Sequence, residues 1–324
     1  MASVHYLKNE TLETIKPGFA GVPMQKGRFT GPFDSHSRQG GELGAAFRYI
    51  GHAVRRERRG ESSSMAIIRD RAFLASDKPG IAWLGHASFL IDLGGKRLVT
   101  DPCFSDIPFK KRLSPAPFHI RELGTIDYLL ISHGHLDHLD TRTIRAAGSA
   151  VKEALIPLKM GRLIRRANRA IPVQEAGWYQ KYETEGVEIF FLPAHHWHRR
   201  TAFDYNRVLW GSFVIRGGGK TIYFAGDSGY NVHFKEIGEM FDLDYAIIPI
   251  NPPYVSEGNH MNHAECIQAL RDLNARHYIP MHYGSFQLTK ESANELAAWF
   301  GALETEEGIG GRILLPRMGE AIWL

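Results

Sequence analysis

Apolar residues fall into two regimes along this 324-residue chain. Up to about residue 75 they are scattered among Gly, Ser, Arg and Lys with little sustained periodicity. From about Gly80 they gather into short dense runs bounded by turn residues, the pattern of buried strands. Such runs lie at 81–84, 87–91, 97–100, 128–131, 187–192, 209–215, 221–224, 245–248 and 277–279. Gly94-Gly95 reads as the tight turn between the second and third. Helical spacing predicts helices over 140–147, with Asp140 as cap, and over 151–170, 234–240, 263–274 and 290–302. The basic stretch 44–59 reads as a short helix whose terminal arginines complement its dipole. Strands dominate early and late with helices inserted between them, which predicts an α/β sandwich in one domain. Residues 1–75 are expected to form an N-terminal extension packed on or wrapped around a main domain at 76–324.

Composition narrows the class. Apolar residues make up 44% and charged residues 23%, the balance of a soluble protein with a sizeable core. A net charge of only +4 gives no reason to expect nucleic acid; it suits an anionic substrate or a peripheral membrane contact. Cys103 and Cys266 stand far apart, so no disulfide framework is expected and the default setting is cytoplasmic. No secretory pattern opens the chain and no apolar run approaches the roughly 20 residues that span a bilayer. Nothing in the pattern encodes an oligomeric state.

The chemistry concentrates in Ser132-His133-Gly134-His135-Leu136-Asp137-His138, directly after a buried strand. Alternate residues of an extended segment face the same way, so His133 and His135 can pinch one ion. Asp137 and His138, after the chain turns, can reach a second. Imidazole with carboxylate suits zinc, with manganese or iron also tolerated. Four side chains cannot complete two sites, so further ligands are expected at the C-terminal ends of other strands. Three segments fit: Pro193-Ala-His195-His196-Trp197-His198, Ala225-Gly-Asp227 and Pro280-Met-His282.

These segments resemble the metallo-β-lactamase fold superfamily of binuclear hydrolases. Within it they are most similar to the branch that contains N-acylphosphatidylethanolamine phospholipase D and its bacterial relatives. The likeness runs in order through WLGHASFLID (83–92), LVTDPCFSD (98–106), ISHGHLDHLD (131–140), PAHHW (193–197), NRVLWGSF (206–213), FAGDSGY (224–230) and MHYGSF (281–286). It covers about 80–324 and implies a four-layer αββα sandwich holding two divalent ions. Carried over by motif position, His133, His135 and His196 would hold one ion. Asp137, His138 and His282 would hold the other, with Asp227 bridging. His195 and His198 sit at positions the resemblance makes less suited to ligation.

The resemblance also implies a metal-bridging hydroxide as nucleophile. His260 stands where this branch carries a site histidine, and is expected to contact substrate or protonate the leaving group. The branch continues HxxPEEA, whereas here His263 and Ala264 replace its proline and first glutamate. Asp101 is expected to support the ligand loops, and His86 to be a buried histidine bonding backbone beside the site. Tyr254 is a candidate substrate contact. Arg199, Arg200 and Arg207 are candidates to grip phosphate, and 110–118 reads as a lid loop. The preferred activity is a phosphodiesterase of phospholipase D type acting on a small or lipid-like substrate. A lactonase or other ester hydrolase is the alternative, and an inactive metal-binding scaffold the remote one. PAHHW and VLWGS argue against β-lactamase activity.

Overall fold

The computed structural model describes residues 3–31, 65–108, 110–250, 258–288 and 291–324. The helix expected over 44–59 and the candidate contact Tyr254 lie outside the described residues. Two seven-stranded mixed sheets form the body. The first runs Val173–Ala176, Val151–Pro157, Ile126–Leu130, Lys96–Thr100, Ser88–Leu93, Gly80–Gly85, Ala321–Trp323. The second runs His277–Met281, Tyr245–Pro249, Lys220–Phe224, Ser212–Gly217, Glu188–Leu192, Gln180–Lys181, Glu13–Thr14.

Alternation along the strands shows how the layers stack. In Gly80–Gly85, Ile81 and Trp83 join one core and Ala82 and Leu84 another. Phe89 and Ile91 oppose Leu90 in the same way, and Leu98 opposes Val99. One core lies between the sheets, where the rings of Phe89 and Phe224 stand 6.4 Å apart. The other lies between the first sheet and the helices Thr141–Ala147 and Gly161–Ala167, through Ile144 and Ile164. On the far side, Phe234 of His233–Met240 packs edge-on to Tyr223, and Tyr278 Oη donates to the carbonyl of Leu270 in His263–Leu273. The result is the αββα sandwich. Strands buried on both faces read as unbroken apolar runs, which is why they were legible.

One expectation changes, and several short strands join the sheets without having been expected. The helix expected over 151–170 is a strand, Val151–Pro157, followed by a shorter helix, Gly161–Ala167. Val151, Ala154, Leu155 and Leu158 mimic helical spacing, but Pro157 forces the residue before it into extended backbone. The segment then pairs in parallel with both neighbours. The N-terminal extension contains strands of only two to four residues, too short to show a period. Glu13–Thr14 extends the second sheet by pairing with Gln180–Lys181, and Phe29 is buried in the main core. The edge strand Ala321–Trp323 is equally short. Side-chain caps start the helices: Asp140, as expected, accepts from Arg142 N–H, Asn262 with Glu265 closes a capping box, and Ser292 with Glu295 closes another that sets the start of the last helix at Ala293 rather than 290. Among the described residues no helix is long and apolar enough to cross a membrane.

Phe213 is fully buried against Phe191 at 5.2 Å and Tyr182 at 6.2 Å between ring centroids. Phe213→Ala is expected to lower the unfolding free energy by about 3–5 kcal/mol, read by denaturant titration. A loss below about 1 kcal/mol would contradict this packing.

Candidate metal centre

The strands end together, and every side chain of interest lies just past a C-terminal strand end. His86 follows Gly80–Gly85, Asp101 follows Lys96–Thr100, and the 133–138 loop follows Ile126–Leu130. His196 follows Glu188–Leu192, Asp227 follows Lys220–Phe224, and His282 follows His277–Met281. Three of these residues, His86, Asp101 and His282, take positive φ of 55°, 34° and 72°. Non-glycine residues adopt that region at a cost of about 1–3 kcal/mol and mostly at functional sites.

Two four-residue groups of donors result, and a third, Asp101 with His133 and His138, overlaps both. His133, His135, His196 and Asp227 have ligand-type atoms all within 4.8 Å of one another. His86, Asp137, His138 and His282 form a second such group. In the first, His133 Nε2 is 2.9 Å and His196 Nε2 3.1 Å from His135 Nδ1. Asp227 Oδ2 lies 3.8 Å from His133 Nε2 and 3.7 Å from His196 Nε2. Two donors about 2.0–2.1 Å from one zinc ion at the tetrahedral angle stand about 3.3 Å apart, so these separations suit a shared ion. Asp227 also serves the second group, with Oδ2 at 3.3 Å from His138 Nε2 and Oδ1 at 3.1 Å from His282 Nε2.

Hydrogen bonds behind the cluster set the tautomers. Asp101 is fully buried and accepts from Ser132 N–H at 2.7 Å and Ser132 Oγ–H at 2.5 Å. Its Oδ2 also takes His138 Nδ1–H at 2.7 Å. The Ser132 hydroxyl has spent its only proton, so it accepts from His133 Nδ1 at 2.9 Å. His196 Nδ1 faces the Asn259 carbonyl at 3.2 Å. His133, His138 and His196 therefore turn a lone pair at Nε2 toward the cluster, the tautomer a metal ligand needs.

His133 Nε2 and His196 Nε2 meet His135 Nδ1, but other atoms of the cluster find no partner among the described residues. His138 Nε2, His282 Nε2 and Asp227 Oδ1 are buried without a hydrogen-bond partner, even though the last two stand 3.1 Å apart. An unsatisfied buried polar atom costs about 1–3 kcal/mol, and these point at one another. A cation is the group that satisfies lone pairs facing inward together. Charge agrees. Burial, reinforced by His138, His135 and His196, holds the His133 imidazole well below its usual range. Burial works against ionising Asp227 and Asp137, but His138 and further histidines outweigh it and keep both carboxylates well below theirs. Burial likewise opposes the charged form of His138, yet Asp227, Asp137 and Asp101 lift it well above. Carboxylates are ionised and the first group's imidazoles neutral, a donor set that fits divalent cations.

Other expected residues are placed apart. The ring of His195 turns to the Tyr230 carbonyl at 3.4 Å, outside both groups. His198 packs on Gly134, where a Cβ would meet its ring at 2.1 Å, so glycine is obligatory between the two ligating-type histidines. His260 lies over the cluster, its ring 5.3 Å from His196 and 5.8 Å from His282. Burial pushes it down to about 4. His86 departs from expectation: its ring does not bond backbone, and Nε2 stands 3.1 Å from Asp137 Oδ2.

Two positively charged features also change meaning. Arg200 was a candidate phosphate grip, but its Nη1 donates to the carbonyls of Gly134 at 2.8 Å and Leu139 at 2.9 Å, bracing the 133–138 loop. Arg112, within the expected lid, is largely buried over Phe286 and donates to the carbonyls of Cys103 and Ser114. Ser114 and Phe118 are buried too, so much of that segment is wall rather than lid. Both arginines serve carbonyls of irregular loops, a demand that a linear sequence does not display.

Comparison with known proteins accords with this geometry. The chain is 31% identical to "N-acyl-phosphatidylethanolamine-hydrolyzing phospholipase D 1" of Caenorhabditis elegans, over 64% of each chain. It is 32% identical to the mitochondrial phospholipase D of the same description from Saccharomyces cerevisiae, over 68% of this chain and 52% of that one. The chain thus spans about half to two thirds of the length of these relatives. The structure of a metallo hydrolase from Ignicoccus hospitalis superposes with a TM-score of 0.61 at 19% identity, covering 76% of this chain and 98% of that one. The family described as "Beta-lactamase superfamily domain" matches residues 96–283, so the chain belongs to the metallo-β-lactamase superfamily.

Proposed function

We propose that the chain is a two-metal phosphodiesterase. In this reading His133, His135 and His196 hold one ion, Asp137, His138 and His282 the other, and Asp227 bridges. The carrying observation is Asp227: one buried carboxylate whose Oδ2 stands 3.8 Å and 3.7 Å from His133 and His196 of the first group and 3.3 Å from His138 of the second, while its Oδ1 stands 3.1 Å from His282. Three imidazoles in the first group favour zinc, while the second, with its extra carboxylate, also suits manganese or iron. When bound, such a pair supplies Lewis-acid polarisation of a phosphoryl oxygen and lowers the pKa of water to about 7.

The chain's own residues do the rest. Asp137 is the cluster carboxylate open to solvent, its side chain 18% exposed, and it accepts a hydrogen bond from the attacking water. His260 offers a ring N–H to the departing oxygen. Asp101 positions His138 directly and His133 through Ser132. Trp197 lies edge-on to His135 at 4.8 Å and rests on Tyr205. Arg28 of the N-terminal extension braces that pair by donating to the Tyr205 carbonyl at 2.6 Å. We read the described residues 3–31 of the extension expected over 1–75 as part of this support around the main domain. The phosphodiester preference draws on the activity for which the worm and yeast relatives are named.

Protein purified without added metal is expected to carry close to two ions per chain by elemental analysis. Asp227→Asn should drop that to about one or fewer and lower kcat/KM by about 10³-fold or more. A wild-type value near zero, with no uptake on titration, would end the two-metal reading. The substrate class is tested on bis(p-nitrophenyl) phosphate, phospholipid vesicles, p-nitrophenyl phosphate and lactones. Lactone turnover without phosphodiester cleavage would replace the phosphodiesterase with an ester hydrolase.

His260→Ala should cut kcat/KM by about 10²–10⁴-fold for a diester with an alkyl leaving group, and far less for a p-nitrophenyl one. Equal losses on both would deny His260 the leaving-group role.

A further inference from the structure

His86 occupies a corner the fold takes trouble to build. Gly85 and His86 take consecutive positive φ values, 101° and 55°, where the pairing of Gly80–Gly85 with Ser88–Leu93 becomes irregular. A Cβ on Gly85 would meet Ser285 Oγ at 2.8 Å and Met318 Sδ at 3.0 Å, so this corner tolerates little change. The His86 carbonyl is held from two sides, by Trp83 Nε1–H at 2.9 Å and by the backbone N–H of His282 at 3.1 Å. Trp83 itself stacks on Tyr283 at 4.9 Å. These bonds tie the first sheet, which carries His86, to the end of the second, which carries His282.

The corner delivers a fully buried ring to one place. Nε2 stands 3.1 Å from Asp137 Oδ2, and the ring lies 4.0 Å from that of His282. Phe286 closes it edge-on at 5.2 Å. Full burial keeps the ring from substrate. Its neighbours include three side chains of the second donor group, Asp137, His138 with its ring at 5.3 Å, and His282, while its ring contacts reach no imidazole of the first group. An ionised carboxylate only accepts, so the proton between them belongs to His86 Nε2. His86 Nδ1 is then the lone-pair nitrogen, and it is buried without a partner.

We propose that His86 is the positioning residue of the second metal site: its Nε2–H fixes the Asp137 carboxylate while its ring and carbonyl fix His282. The inference rests on the two-ion reading above and deepens it. It makes the second site depend on a histidine outside the ligand motifs, and makes that dependence one-sided. Outer partners of metal ligands are worth about 10–100-fold in affinity.

The test is a two-step titration of the full-length metal-stripped chain with Co²⁺, following d–d absorption, and with Zn²⁺ by calorimetry. Circular dichroism and the melting midpoint of the metal-free form are recorded alongside. His86→Ala is expected to weaken the second ion about 10–100-fold and leave the first unchanged. His86→Gln, whose Nε2 reaches the same point and can donate, should restore most of the second affinity. His86→Ala binding both ions like wild type would overturn the proposal. Equal weakening of both ions in both variants would overturn it as well, leaving only a structural role. If Gln loses as much as Ala, the imidazole is itself a ligand and the positioning role is wrong. Wild type taking up fewer than two ions would instead overturn the two-ion reading beneath it.

Discussion

Crowding imidazoles into a dry space is the constraint on which the rest of this structure depends. His133, His138, His196 and His282 are all at most 3% exposed, and each has a neighbouring imidazole ring within 6 Å. Protonated, they repel; neutral, they leave lone pairs facing lone pairs. Asp101, Asp137 and Asp227 resolve this from behind, beside and between. Asp101 needs no view of the cavity to act, because Ser132 passes its influence to His133 while His138 takes it directly. Inward-facing lone pairs and carboxylates are a donor set able to take a divalent cation, so in the two-ion reading metal binding and local stability are one quantity.

The sandwich follows from that need. Parallel and mixed strands buried on both faces end in register, and their C-terminal ends supply short loops whose side chains converge. The first sheet contributes His86, Asp101 and the 133–138 loop; the second contributes His196, Asp227 and His282. Neither sheet alone carries either donor group. Packing between the sheets therefore sets ligand distances, and the buried rings joining them, such as Phe89 and Phe224, are part of the site in an energetic sense.

What could be read in the linear chain follows the length and regularity of the signal. Four potential ligands within six residues after an apolar strand needed no structure to be noticed, and the strand-end rule reached His196, Asp227 and His282. The helix expected over 151–170 failed because four apolar residues matched a helical period by coincidence, while Pro157 carried the decisive information. The strands of residues 5–29 and 321–323 escaped because two to four residues cannot display a period. Arg200 read as a phosphate grip and Arg112 as part of a lid because their partners are backbone carbonyls, which have no letter in the sequence. Gly134 was visible as a glycine, but its reason, the ring of His198 against it, depends on a loop sixty residues away.

The left-handed residues show why such a site resists being read from motifs alone. At Asp101, His86 and His282 a side chain with a task sits on backbone that glycine would adopt more easily. Each is held there by bonds from elsewhere: Asp101 N–H donates to the Leu130 carbonyl, and His282 N–H to that of His86. Strain at these corners turns the side chains inward from strand ends that would otherwise direct them along the sheet. Replacing any of the three by glycine would relax the backbone while removing the group the strain exists to aim. The conformational cost is thus stored next to the donors it orients, and the two sheets share it through the His86–His282 bond.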